Sequence, residues 1–127
     1  MIVLDSSAAL AALLRDGVAR RTLTGDQVHL PHLADAEVAH TLRRLDLAGQ
    51  LDSAAATACL DTWSRLGLVR HPLHPLLGRI WELRQTITAY DASYVALAES
   101  LDCTLVTADG RLARASGPRC SITVVPA

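Results

Sequence analysis

At 127 residues, half of them hydrophobic, the chain is long enough to bury a real core and has no composition break that would divide it, so one domain over residues 1–127 is expected. A formal net charge of −1 excludes a bulk polycation that coats nucleic acid by charge alone. No apolar run approaches the length of a bilayer span, and Met1-Ile2-Val3-Leu4-Asp5 reaches a carboxylate too early for a signal-peptide core, so no membrane and a cytoplasmic location are expected.

In chain order, the short β-branched run Ile2-Val3-Leu4 predicts a strand ending at Asp5, after which Ser6 or Ser7 caps a helix over Ala8 to Leu14. Thr24-Gly25-Asp26 reads as a polar turn. Gln27 to Leu30 predicts a second strand, stopped by Pro31, and a helix follows from about Ala34 to Ala48 with Gly49 as its stop and Glu37 in its first turn. A further helix runs from a cap at Asp52 to Leu66, and Leu68 to His71 predicts a third strand before Pro72 and Pro75. Leu76 to Thr86 carries a helical period, with Ile80, Leu83 and Ile87 on one apolar face. Tyr90 to Glu99 is a small-residue helix with Asp91 at or near its N-cap. Thr104 to Thr107 predicts a strand, Asp109-Gly110 a turn, Leu112 to Ala115 a short helix and Ile122 to Val125 a closing strand. Strands alternating with helices imply α/β architecture, a three-layer α/β/α sandwich around a central, mostly parallel sheet.

In such sheets ligands bind beyond the carboxyl ends of the strands, where strand order reverses, and Asp5 and Asp109 each follow a strand expected there. Glu37 and Asp91 lie early on helices and complete a set of four acids. Each also has an ordinary role: Asp5 and Asp91 as helix caps, Glu37 as a macrodipole partner, Asp109 as a turn residue. Asp35, two residues before Glu37, cannot share its helix face. Four converging carboxylates require a neutralising cation, and hard oxygen donors without paired Cys or His ligands favour Mg²⁺ or Mn²⁺.

Ile-Val-Leu-Asp-Ser-Ser-Ala-Ala-Leu at 2–10, Ala-Glu-Val at 36–38, Tyr-Asp-Ala-Ser-Tyr-Val-Ala-Leu-Ala-Glu at 90–99 and Leu-Val-Thr-Ala-Asp-Gly-Arg-Leu at 105–112 resemble the PIN domain, and more narrowly the VapC toxins of bacterial VapBC toxin–antitoxin modules. The resemblance spans essentially the whole chain. It implies a Mg²⁺- or Mn²⁺-dependent endoribonuclease with Asp5, Glu37, Asp91 and Asp109 as the catalytic acids; Asp5, Asp91 and Asp109 hold metal, and Glu37 orients the attacking water. Ser7 and Thr107 match the family's supporting hydroxyl positions. It also implies an RNA substrate such as tRNA or rRNA, a homodimer, and a VapB-type antitoxin whose tail fills the groove and supplies a cation to the acids. A metal-dependent PIN module that binds RNA or protein without cutting is the alternative; a receiver-like phosphoryl-transfer domain is disfavoured because every basic residue other than His is Arg and the chain has no Lys.

Arg79, Arg84 and Arg111 are candidate RNA contacts, with Arg43, Arg44 and Arg114 as lesser ones, because Arg grips phosphate in a bidentate way; a solvated helix face is the competing role. His29-x-x-His32 and His71-x-x-His74 lack further suitably spaced ligands for zinc and read as structural. Trp63, Trp81, Tyr90 and Tyr94 read as core or interface anchors. Cys59, Cys103 and Cys120, an odd number without a C-x-x-C pair, read as reduced core residues.

Overall fold

A computed structural model describes residues 1–127. Five strands, β1 (Ile2–Leu4), β2 (Val28–Pro31), β3 (Val69–His71), β4 (Thr104–Thr107) and β5 (Ile122–Val124), form one sheet in the order β3-β2-β1-β4-β5, and every adjacent pair is parallel. The helices are α1 (Ser6–Leu14), α2 (Val18–Gly25), α3 (Leu33–Leu47), α4 (Ser53–Arg65), α5 (Leu77–Glu82), α6 (Ala89–Leu101) and α7 (Gly110–Arg114). Right-handed crossovers place α1 to α4 on one face and α5 to α7 on the other, giving the expected three-layer α/β/α sandwich. Strand order runs outward from β1 in one direction and from β4 in the other, so the reversal point lies between these two neighbours.

Burial on both faces explains why the central strands are aliphatic at successive positions. Val3, Leu4, Leu30 and Leu105 have no exposed surface, and each buried side chain of this kind contributes roughly 1.5–3 kcal/mol. The helices that flank them are built from small residues. Ala8, Ala9, Ala11 and Ala12 of α1, and Ala92, Ala96 and Ala98 of α6, are buried, which lets both helices approach closely. No helix is long and apolar enough to cross a membrane.

Three local expectations are corrected. Val18–Gly25 is the additional helix α2, where only a turn was expected around its end. It carries only a short apolar face, Val18, Ala19 and Leu23, and its N-cap, Gly17, makes no side-chain cap, so no start signal marks it. The helix expected over Leu76–Thr86 is a 3₁₀ turn at His74–Leu76 followed by the six-residue α5. Leu83 N–H is shared between the Arg79 and Ile80 carbonyls and Arg84 N–H turns to Trp81, tightening the chain out of α geometry. Finally, neither Ser6 nor Ser7 caps α1: Asp5 is the N-cap, extended in backbone, with its carboxylate accepting from Ala8 N–H.

Polar ties lock the layers. Arg70 of β3 donates through Nε and Nη2 to both oxygens of Asp35 on α3, at 2.8 and 2.9 Å, and Trp63 Nε1 of α4 donates to the same carboxylate at 2.8 Å. On the other face Arg79 forks onto Glu99, whose carboxylate also accepts Arg119 N–H. Hydrogen bonds from Arg70 hold the Asp35 carboxyl below its ordinary range. Burial pushes Glu99 up, but Arg79 and the Arg119 amide outweigh it and leave it lowered. A lowered folded-state carboxyl stabilises the fold fully above its unfolded value, 3.8 for Asp35 and 4.5 for Glu99, and the contribution disappears as pH falls through the folded values. Arg70→Met, which keeps much of the aliphatic stem, is therefore expected to flatten the pH dependence of stability between about pH 5 and 3. Urea melts across that window check this; a slope equal to wild type counts against the pair.

Candidate active site

Asp5 and Asp109 meet at the carboxyl ends of β1 and β4, and a small network of hydroxyls sets their spacing. Asp5 is 4% exposed and accepts three hydrogen bonds: from Ser7 Oγ at 2.6 Å, from Ala8 N–H at 3.0 Å and from Thr107 Oγ1. Thr107 Oγ1 accepts Asp109 N–H at 3.0 Å, and Ser7 Oγ accepts Ala108 N–H at 2.9 Å. Each hydroxyl has one proton and directs it to Asp5, so the 3.3 Å Ser7–Thr107 approach is a contact without a proton of its own. Asp5 thus combines the two roles that the sequence left as alternatives, helix cap and strand-end acid.

Asp91 sits on the first turn of α6, three residues after the true N-cap, Thr88, whose Oγ1 accepts Asp91 N–H at 3.1 Å. This Thr-x-x-Asp start resembles a capping box and frees the Asp91 side chain from the cap role expected of it. Glu37 lies in the second turn of α3, since that helix starts at Leu33, and its Oε1 accepts the Tyr94 hydroxyl at 2.5 Å. Tyr94 is buried in the core, as expected, and also fixes an acid. The sequence signal was its position on α6, three residues after Asp91 on the same helical face. Asp35 points instead to Arg70 and Trp63, so the two acids of α3 divide as their spacing requires.

Asp91 feels the other three carboxylates. Burial raises Asp91, and the charges of Asp5, Asp109 and Glu37 raise it further. Burial raises Asp5 despite its hydrogen bonds, with Asp109 adding to the rise. Burial and the Glu37 hydrogen bond push the Tyr94 phenol up, so it stays a donor. Asp109 is lowered, chiefly by Arg111, whose guanidinium lies 3.2–3.3 Å from its carboxylate while Arg111 N–H donates to Oδ1 as Asp109 caps α7. These are hard oxygen donors in mutual repulsion, a set that suits a strongly hydrated divalent cation. No three of them, and no three His, Cys, Asp or Glu elsewhere, are gathered closely enough to coordinate one ion directly.

Grooves flank the acids on two sides. One, of about 490 Å³, is lined by residues including Arg84, Thr88, Asp91, Asp109 and Arg111; another, of about 640 Å³, is lined by Ser6, Glu37, His40, Arg44 and Tyr90 among others. Arg84 lies 4.7 Å over the Trp81 ring and stays at the groove. Arg79 differs from the other two candidate RNA contacts: it is mostly buried and engaged with Glu99, Glu82 and the Gly117 carbonyl. His29 and His71 stack and share a 2.8 Å Nδ1–Nε2 hydrogen bond, with Gln27 on His29. Trp81 and Tyr90 are exposed, whereas Trp63 and Tyr94 are core residues.

Residues 2–118 match the PIN domain family model. Ribonuclease VapC9 of Mycobacterium tuberculosis is 54% identical over 126 residues, covering 99% of each chain. Among solved structures, PAE2754 of Pyrobaculum aerophilum superposes with a TM-score of 0.71 at 28% identity, over 95% of this chain and 81% of that one. VapBC2 of Rickettsia felis, solved with a DNA fragment from its promoter, gives 0.72 at 15% identity over 98% of both chains, a likeness of fold. The strand-end acids, the sheet order and this full-length identity agree, and the chain belongs to the PIN-domain family, within its VapC ribonucleases.

Proposed function

We propose that this chain is a Mg²⁺- or Mn²⁺-dependent endoribonuclease, the toxic component of a VapBC-type module, and that residues 1–127 form a single PIN domain. The observation that carries the reading is the meeting of Asp5 and Asp109 at the β1/β4 reversal point, electrostatically coupled to Asp91 and Glu37. In this reading Asp5, Asp91 and Asp109 hold the cation together, at least one of them through its water shell. When bound, the metal supplies charge for the scissile phosphate and lowers the pKa of water.

The chain's own groups do the remaining work. Thr107 and Ser7 hold the Asp5 carboxylate in one orientation, so it meets its ligand without rearrangement. Tyr94 fixes Glu37, whose carboxylate directs and accepts a proton from the attacking water. Arg84 and Arg111, in the groove beside Asp91 and Asp109, take RNA phosphates, and for Arg111 this means exchanging Asp109 for the substrate. The partner is a VapB-type antitoxin that covers this groove, the toxin is a homodimer, and the substrate is tRNA or rRNA; the names of the VapC relatives support the ribonuclease reading.

Two readouts test the proposal. Mn²⁺ is expected to raise the melting temperature of wild type but not of Asp91→Asn, because four repelling carboxylates gain a counter-ion only where the site is complete. Cleavage of total RNA is expected to require added Mg²⁺ or Mn²⁺ and to stop with EDTA. A melting curve indifferent to both ions would remove the metal assignment. RNA binding with no cleavage under any ion would favour the non-cleaving module.

A further inference from the structure

At the amino-terminal end of the sheet, opposite the end that carries the acids, a cavity of about 460 Å³ is lined by Glu99, Asp102, Cys103, Arg119 and Cys120, among others. Cys103 immediately precedes β4, and Cys120 lies two residues before its parallel neighbour β5. β4 and β5 pair Leu105 with Ile122, and Leu105 N–H donates to the Ser121 carbonyl; carrying the same offset two residues beyond the last pair puts Cys103 across from Cys120. Neighbouring parallel strands lie about 5 Å apart, inside the Cα separation that a disulfide spans, so chain ends that enter them side by side bring the two thiols within bridging range.

The surrounding contacts hold both residues in place. Cys103 follows Asp102, the left-handed C-cap of α6, and its N–H donates to the Ala98 carbonyl. The segment before Cys120 is pinned by Arg119 N–H on Glu99 at 2.8 Å and by Arg79 on the Gly117 carbonyl at 2.8 Å. Both thiols are free, half-buried and open to the shared cavity, and each is near enough for Cys120 to sense the charge of Cys103. Cys59 lies elsewhere, its thiol directed to the Leu13 carbonyl between α4 and α1.

We propose that Cys103 and Cys120 are an oxidisable pair that closes to an intramolecular disulfide on exposure to hydrogen peroxide. One thiolate attacks the peroxide oxygen, forming a sulfenic acid and releasing water after protonation. The second thiol then displaces hydroxide from that sulfur, which leaves as a second water, so two thiols and one peroxide give one disulfide and two waters. The bridge encloses Thr107, Asp109 and Arg111 within one covalent loop and ties the edge strand β5 to β4. Burial pushes both thiols above their ordinary range, so little thiolate is present at neutral pH and closure is slow.

The test is intact-mass analysis and peptide mapping of the folded protein after hydrogen peroxide at mildly alkaline pH. Wild type and Cys59→Ser are expected to lose two hydrogens, yield a Cys103–Cys120 linked peptide, and recover with dithiothreitol. Cys103→Ser and Cys120→Ser are expected to show no such loss. Oxygen addition at separate cysteines, a bridge through Cys59, or only intermolecular dimers would overturn the pairing, as would thiols that stay reduced until urea is added. Because the readout is mass, its outcome is independent of whether the chain cuts RNA.

Discussion

Asp5→Asn is expected to reduce Mg²⁺- or Mn²⁺-supported RNA cleavage by at least ~10²-fold, the scale of losing one well-placed electrostatic group, with little change in melting temperature. The fold survives because Asn is as good an N-cap as Asp: its carbonyl oxygen still accepts from Ala8 N–H and from Ser7. Its amide nitrogen then faces Thr107 Oγ1, and that hydroxyl rotates from donor to acceptor. What disappears is the negative charge. Cleavage initial rates, beside circular dichroism and melting curves, check both halves; full activity in a folded variant would remove Asp5 from the site.

The largest stability loss is expected at Trp63→Ala, roughly 3–5 kcal/mol, a sizeable share of the ~5–15 kcal/mol that a domain of this kind possesses. Trp63 is 2% exposed and is among the largest fully enclosed side chains of the core. Its indole fills the space between α4 and α3 while its N–H ties α4 to Asp35 and, through that carboxylate, to Arg70 on β3. Trp63→Phe is expected to recover most of the packing and lose about 1 kcal/mol with the hydrogen bond. Chemical denaturation of the pair separates cavity from hydrogen bond; an Ala variant within 1 kcal/mol of wild type would mean that the helices close over the gap.

Much of the fold was legible because local signals agreed with the global one. Short β-branched runs followed by acids or Pro marked the strands, and alternation with apolar-faced helices implied the parallel sheet before any pairing was known. α2 was not legible, since it is short, starts at Gly17 without a capping side chain, and shows only three apolar residues on the face packed towards α1. The acids were legible as types and positions, but their partners were not. That Thr107 bonds Asp5, or that Tyr94 bonds Glu37, depends on side chains far apart in sequence meeting across strands and helices. Thr88 starts a Thr-x-x-Asp pattern, but Asp91, itself a good capping residue three positions on, masks that signal in the sequence. Arg79 carried no sign in sequence of its attachment to Glu99, twenty residues away.

The hydrogen bond from Thr107 to Asp5 joins residues 102 positions apart, and β1 lies between β2 and β4. During synthesis Asp5 emerges early, with one neighbouring strand soon available and the other still unmade. The acidic centre therefore cannot assemble until β4 and Asp109 have been translated. For a VapC ribonuclease this order of appearance is a built-in delay: most of the chain is made before its acids can come together.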